Sequence, residues 1–87
     1  MAKYKITLKK SVAKDLRNIP NKDVKRILDK FEELSQNPRG FGCIKLSGQA
    51  RYRVRQGLYR IIYEIKDDIL VVHVVKVSHR SSVYRDL

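Results

Sequence analysis

Acidic residues are scarce in this chain of 87 residues: nine Asp and Glu stand against 20 Lys and Arg, leaving a formal charge of +11. A compact domain with that imbalance repels itself, and a polyanionic partner relieves it: nucleic acid first, anionic lipid second, an acidic protein third. Cysteine is scarcer still. The single Cys43 excludes an internal disulfide framework and favours a reducing compartment, so a cytoplasmic location is expected. No stretch reaches the roughly 18 consecutive apolar residues of a membrane helix. The opening MAKYKITLKK carries charges but lacks the apolar run of a secretory signal, and no membrane role is expected. The chain also lacks a glycine-rich phosphate loop, paired carboxylates and Cys/His spacing for zinc, so neither metal nor small-molecule cofactor is expected. Its length allows one domain, residues 1–87, and 43% hydrophobic residues suffice for a small core.

Periodicity divides the chain into elements. Lys3 to Lys9 alternates, placing Tyr4, Ile6 and Leu8 on one face of a strand. Ser11 is a reasonable N-cap for a short helix whose apolar positions are Val12, Leu16 and Ile19. From Asn21 to Gln36 the residues Val24, Ile27, Leu28, Phe31 and Leu34 form one apolar stripe, and Asn37-Pro38-Arg39-Gly40 ends that helix. Four strands follow: Phe41 to Leu46, Arg51 to Arg55, Leu58 to Lys66 and Ile69 to Val77. Gln56-Gly57 and Asp67-Asp68 read as two-residue turns between the last three. The last strand is almost wholly apolar apart from His73 and Lys76, as a central strand would be. The expected fold is α+β: an N-terminal strand, a two-helix hairpin, then a mostly antiparallel four-strand meander (β-α-α-β-β-β-β).

The chemistry concentrates in residues 39 to 60, which hold Arg39, Lys45, Arg51, Arg53, Arg55 and Arg60 and no acidic residue. Arg51, Arg53 and Arg55 alternate with Tyr52 and Val54, so three guanidinium groups leave one face of a single strand. With Gln56-Gly57 as the turn, Arg53 stands opposite Arg60. Like charges in that position destabilise a sheet, and a bound anion removes the penalty; planar guanidinium forks suit phosphate oxygens. The opposite face, Tyr52, Val54, Tyr59, Ile61, Tyr63 and Ile65, is the one the helices should cover. With Asp67-Asp68 as the turn between the last two strands, Val77 lies opposite Leu58. Ser78, His79 and Arg80 then leave the sheet beside the arginine face, with Tyr84 following as a ring for stacking a base. His79 is a candidate proton carrier. Cys43 has no evident base and reads as a small buried hydrophobe.

The runs Tyr52-Arg53-Val54-Arg55, Tyr59-Arg60-Ile61-Ile62-Tyr63 and Val74 to Tyr84 together resemble the RelE group of the RelE/ParE toxin superfamily, and the resemblance extends over the whole chain. It implies a RelE-like fold and a type II toxin that cleaves messenger RNA in the ribosomal A site, in contact with ribosomal RNA, and is held inactive by a cognate antitoxin. By position, Arg53, Arg55, Arg60, Arg80 and Tyr84 match the family's catalytic set; Lys45 and Arg51, in the same basic segment, are expected as further RNA contacts. Well-studied relatives have lysines where this chain has Arg53 and Arg55, and a lysine there is invoked as general base. Arginine hardly deprotonates, so the base stays open among Arg53, His79 and Tyr84. Two other readings remain: a ParE-type DNA gyrase inhibitor and a non-catalytic basic RNA-binding module.

Overall fold

The chain runs β1 (Lys5–Leu8), α1 (Lys10–Arg17), α2 (Asn21–Gln36), β2 (Ile44–Lys45), β3 (Arg51–Gln56), β4 (Tyr59–Lys66) and β5 (Val71–His79). The computed structural model describes residues 3–81. The five strands form one sheet in the order β1-β5-β4-β3-β2, antiparallel throughout the meander and parallel only where β1 meets β5. The fold agrees with the α+β order expected from the sequence.

Both helices lie on one face of the sheet. Val12 of α1 and Ile27, Phe31 and Leu34 of α2 are buried against Val54, Ile61, Tyr63, Val72, Val74 and Val77. Each large apolar side chain removed from water in this way contributes about 1.5–3 kcal/mol. The Tyr52 to Ile65 face is thus the core face, as alternation predicts. Leu28 is the exception within the helical stripe: it is half exposed, turned past the contact line that Ile27 occupies.

Five local expectations change. The first is the Asp67-Asp68 turn: Lys66 pairs with Val71, so the connection is a four-residue loop and β5 starts at Val71 rather than Ile69. Helix α1 begins at Lys10, with Lys9 rather than Ser11 at the N-cap and no side-chain cap. The Lys9 N–H is already donated to the Val74 carbonyl at 2.9 Å, so the chain passes from the β1 ladder straight into the helix. Strand β2 is only two residues, because a turn closed by the Cys43 N–H on the Gly40 carbonyl and a left-handed Gly42 (φ 84°) occupy the preceding residues.

The β3–β4 turn is Gly57-Leu58, one residue later than expected. Its glycine has φ 57° at the first central position, the place a II′-type hairpin turn gives it. Finally, the β4–β5 ladder has a bulge at Val75. Tyr63 faces Val74 and Ile62 faces Lys76, so the facing of every later β5 residue is exchanged. Val77, expected on the basic face, therefore packs into the core.

A polar cluster pins the loop after α2. The Tyr63 hydroxyl donates to the Pro38 carbonyl at 2.6 Å, and Arg39 clamps Asp67 through two hydrogen bonds of 2.7 and 3.1 Å. Tyr4 donates its hydroxyl to the same carboxylate. The Arg39 and Tyr4 bonds hold Asp67 well below the usual carboxylate range, at about 2. No helix among the described residues is long and apolar enough to cross a membrane.

Candidate active site

The face of the sheet turned away from the helices carries the cations. Arg51, Arg53 and Arg55 project from β3, and their partners on β4 are Glu64, Ile62 and Arg60. The expected opposition of Arg53 and Arg60 is therefore corrected: Arg55 is the residue across from Arg60. Moving the turn by one residue shifts each pairing by two, so the facing is preserved and only the partner changes. On β5, Ser78 pairs with Arg60 and continues the row.

Arg80 joins this group from the strand end. Its N–H donates to the Leu58 carbonyl at 2.6 Å, tying it to the β3–β4 turn. The resulting electrostatics are read best at Arg55. Its guanidinium is held below the ordinary arginine value first by Arg53, then by partial loss of water, then by Arg60 and Arg80. Four cations thus crowd one open surface. Among the described residues none of Arg53, Arg55 and Arg80 forms an ion pair. Ile62, fully buried, lies between Arg53 and Lys76 and gives the cationic face an apolar floor.

The other candidates are distributed differently. Arg51 shares the face, but its Nε lies 3.3 Å from Glu64 Oε2, so its charge is compensated within the sheet. Lys45 is exposed and pairs with Tyr52, which puts it on the opposite side of the edge strand. Tyr84 lies outside the described residues.

His79 is not brought to the arginine face. The Val75 bulge pairs it with Tyr59 on the helix side, where the two rings meet edge to face at 5.5 Å and 82°. Its Nδ1 accepts the Ser81 N–H at 3.1 Å, with the Ser81 hydroxyl at 2.7 Å. A backbone N–H can only donate, so Nδ1 is the acceptor and Nε2 carries the proton. Together with the Arg80 bond, this fixes two consecutive amides of the turn that presents Arg80.

Ser78, expected beside the arginine face, is paired with Arg60 by the bulge, and its buried Oγ has no hydrogen-bond partner among the described residues. One residue escapes a reading of the sequence. Phe41, fully exposed, lines a cavity of about 340 Å³ together with Arg53 and Arg55. Only its closeness in sequence to the basic segment could have marked it. Among the described residues no group of three or more His, Cys, Asp or Glu side chains is placed to hold a metal ion.

The family model for the ParE toxin of type II toxin–antitoxin systems matches residues 6–84. This chain belongs to the RelE/ParE toxin family. Within the family it is similar to RelE proteins: it is 31% identical over 88 residues to RelE1 of Methanocaldococcus jannaschii, covering 97% of this chain and 98% of that protein. A chain of the archaeal RelE–RelB complex from Pyrococcus horikoshii OT3 superposes on this RelE-like toxin with a TM-score of 0.81 at 30% identity, over 95% of this chain and 100% of the other. A chain of the toxin–antitoxin complex RelBE2 from Mycobacterium tuberculosis gives 0.83 at 25% identity, over 94% and 97%.

Proposed function

We propose that this toxin is a ribosome-dependent endoribonuclease that cuts messenger RNA in the A site without a metal ion. The observation that carries the reading is the crowding of Arg53, Arg55, Arg60 and Arg80 on one open face, with Arg55 and Arg60 directly opposed. Cations gathered this closely favour a bound anion, and planar guanidinium forks suit the oxygens of a phosphate diester.

Cutting RNA with protein groups alone requires the 2′-hydroxyl to attack the adjacent phosphorus in line with the departing 5′-oxygen. As the phosphorane forms, one further negative charge develops, and Arg55, Arg60 and Arg80 stand ready to neutralise it. Arg53 clamps the phosphate, since a guanidinium does not serve as a base. His79 faces the helices, so its part is to hold the turn that carries Arg80. Tyr84 remains as proton carrier or base-stacking ring. The products are a 2′,3′-cyclic phosphate and a free 5′-hydroxyl. Because the ribosome supplies the alignment of the message, naked RNA should be a poor substrate.

The relatives solved as toxin–antitoxin and RelE–RelB complexes support a cognate antitoxin for this toxin as well, and the charge of +11 calls for an acidic one. The ParE name of the matching family model favours a second reading, inhibition of DNA gyrase. Primer extension on message from induced cells separates the two. Cuts within codons support the ribonuclease, DNA breaks with intact message support gyrase inhibition, and unimpaired growth on induction leaves only an RNA-binding module.

A further inference from the structure

The loop between α2 and β2 ends in Gly40-Phe41-Gly42, and its aromatic tip is fully exposed. A large apolar ring left entirely in water adds nothing to the stability of this fold. The loop beneath it is nevertheless held firmly: Pro38 receives the Tyr63 hydroxyl and Arg39 clamps Asp67. Gly42, at φ 84°, adopts the backbone turn that returns the chain to β2. Phe41 is therefore presented from an ordered base. The cavity it lines, about 340 Å³, falls within the roughly 300–1,000 Å³ of small-molecule pockets. Its wall includes Ile44, half exposed and paired with Arg53, and it includes Arg53 and Arg55 themselves.

An aromatic face beside two phosphate-seeking cations is the combination by which proteins hold single-stranded nucleic acid: the cations take the backbone and the ring takes a base. We propose that Phe41 is a stacking platform for an unpaired nucleobase, the one next to the phosphate held by Arg53 and Arg55, with the Phe41 cavity as its subsite. This rests on the ribonuclease reading only in requiring RNA on the arginine face; it does not require that the RNA be cut. The charge around the cavity favours a nucleotide over an uncharged apolar segment of a partner protein, because a base arrives with its phosphate attached.

The chain contains no tryptophan, so Phe41→Trp places a single indole at the proposed contact, excited to the red of the five tyrosines. The probe is a short single-stranded RNA with 2′-O-methyl groups, which cannot be cut. Its addition should quench the indole emission of the Phe41→Trp toxin in step with binding measured separately by anisotropy of an end-labelled copy. Removing one stacked base should weaken binding about tenfold in Phe41→Ala. Phe41→Tyr should retain affinity and Phe41→Leu should not, since a leucine is apolar but cannot stack. On programmed ribosomes the same series should raise KM and alter codon preference, with thermal stability unchanged.

Binding by anisotropy with no change in indole emission overturns the proposal while leaving the ribonuclease reading intact. Equal binding by Phe41→Leu and wild type overturns stacking in favour of a plain apolar contact. Quenching by an acidic antitoxin but not by RNA assigns the ring to the partner protein instead. Failure of wild-type toxin to bind the RNA overturns the subsite, whereas the ribonuclease reading falls only if programmed ribosomes show no cuts within codons. Quenching without any cleavage in cells keeps the subsite and removes the ribonuclease.

Discussion

Arg55 is the residue at which stability and function pull apart. It faces Arg60 across the ladder and feels Arg53 and Arg80 besides, and it has no ion-pair partner among the described residues. Arg55→Ala should therefore cut cleavage on programmed ribosomes about a hundredfold, the scale for removing one donor that stabilises developing charge. Its melting temperature should hold or rise. A clear fall in melting temperature would mean that Arg55 supports the fold. His79 offers a complementary test at the same scale. Its Nδ1 accepts from the N–H two residues on, which is the bond an Asx turn makes with an asparagine oxygen. Activity lost in His79→Phe, which keeps a ring against Tyr59, should return in His79→Asn. If both variants lose activity alike, the imidazole is needed for more than holding Arg80.

At the level of elements, helix α2 was legible to its ends, because a 16-residue stripe with a Pro-Gly stop leaves little freedom. The two faces of the β3–β4 hairpin were legible as well: alternation depends on parity, and the one-residue error in the turn changed partners by two. What alternation cannot show is a bulge. Val75 lies in a run of apolar residues that is compatible with either register, so nothing local marks where the ladder slips. That slip moved Val77 and His79 to the helix side and Ser78 to the arginine side, and it accounts for most of the difference between the expected and observed sites.

Elements are also joined by groups whose chemistry can be titrated or removed. Asp67, held at about 2 against an ordinary value of 3.8, binds fewer protons folded than unfolded near pH 3. Its contribution is full above pH 3.8 and is lost as the pH falls towards 2. Asp67→Asn should flatten the loss of melting temperature over that window; an unchanged acid slope would show that Arg39 and Tyr4 do not tie the loops in solution. Tyr63→Phe leaves the Pro38 carbonyl without its partner in a buried site. That should cost about 1–3 kcal/mol, read as a lower denaturant midpoint at constant slope.

Among the described residues five carboxylates are held by cations other than Arg53, Arg55 and Arg80. Asp15 receives Lys76 and the Val77 N–H, Glu32 pairs with Lys3, Glu33 with Lys30, Glu64 with Arg51, and Asp67 with Arg39. Excess positive charge is thereby left uncompensated where Arg53, Arg55 and Arg80 stand. An acidic antitoxin approaching this surface is steered by a field whose reach depends on salt, about 30 Å at 0.01 M and about 8 Å at 0.15 M. Long-range steering acts on encounter, whereas short-range apolar contacts act on escape. Stopped-flow mixing of toxin and antitoxin should therefore show an association rate that falls several-fold between those salt concentrations, with the dissociation rate nearly constant. Arg53→Ala and Arg55→Ala together should flatten the dependence, because they remove two of the charges that create the field. A salt-independent association rate in the wild type would mean that the net charge of +11 is not what brings the partners together, and that the basic face is reserved for RNA.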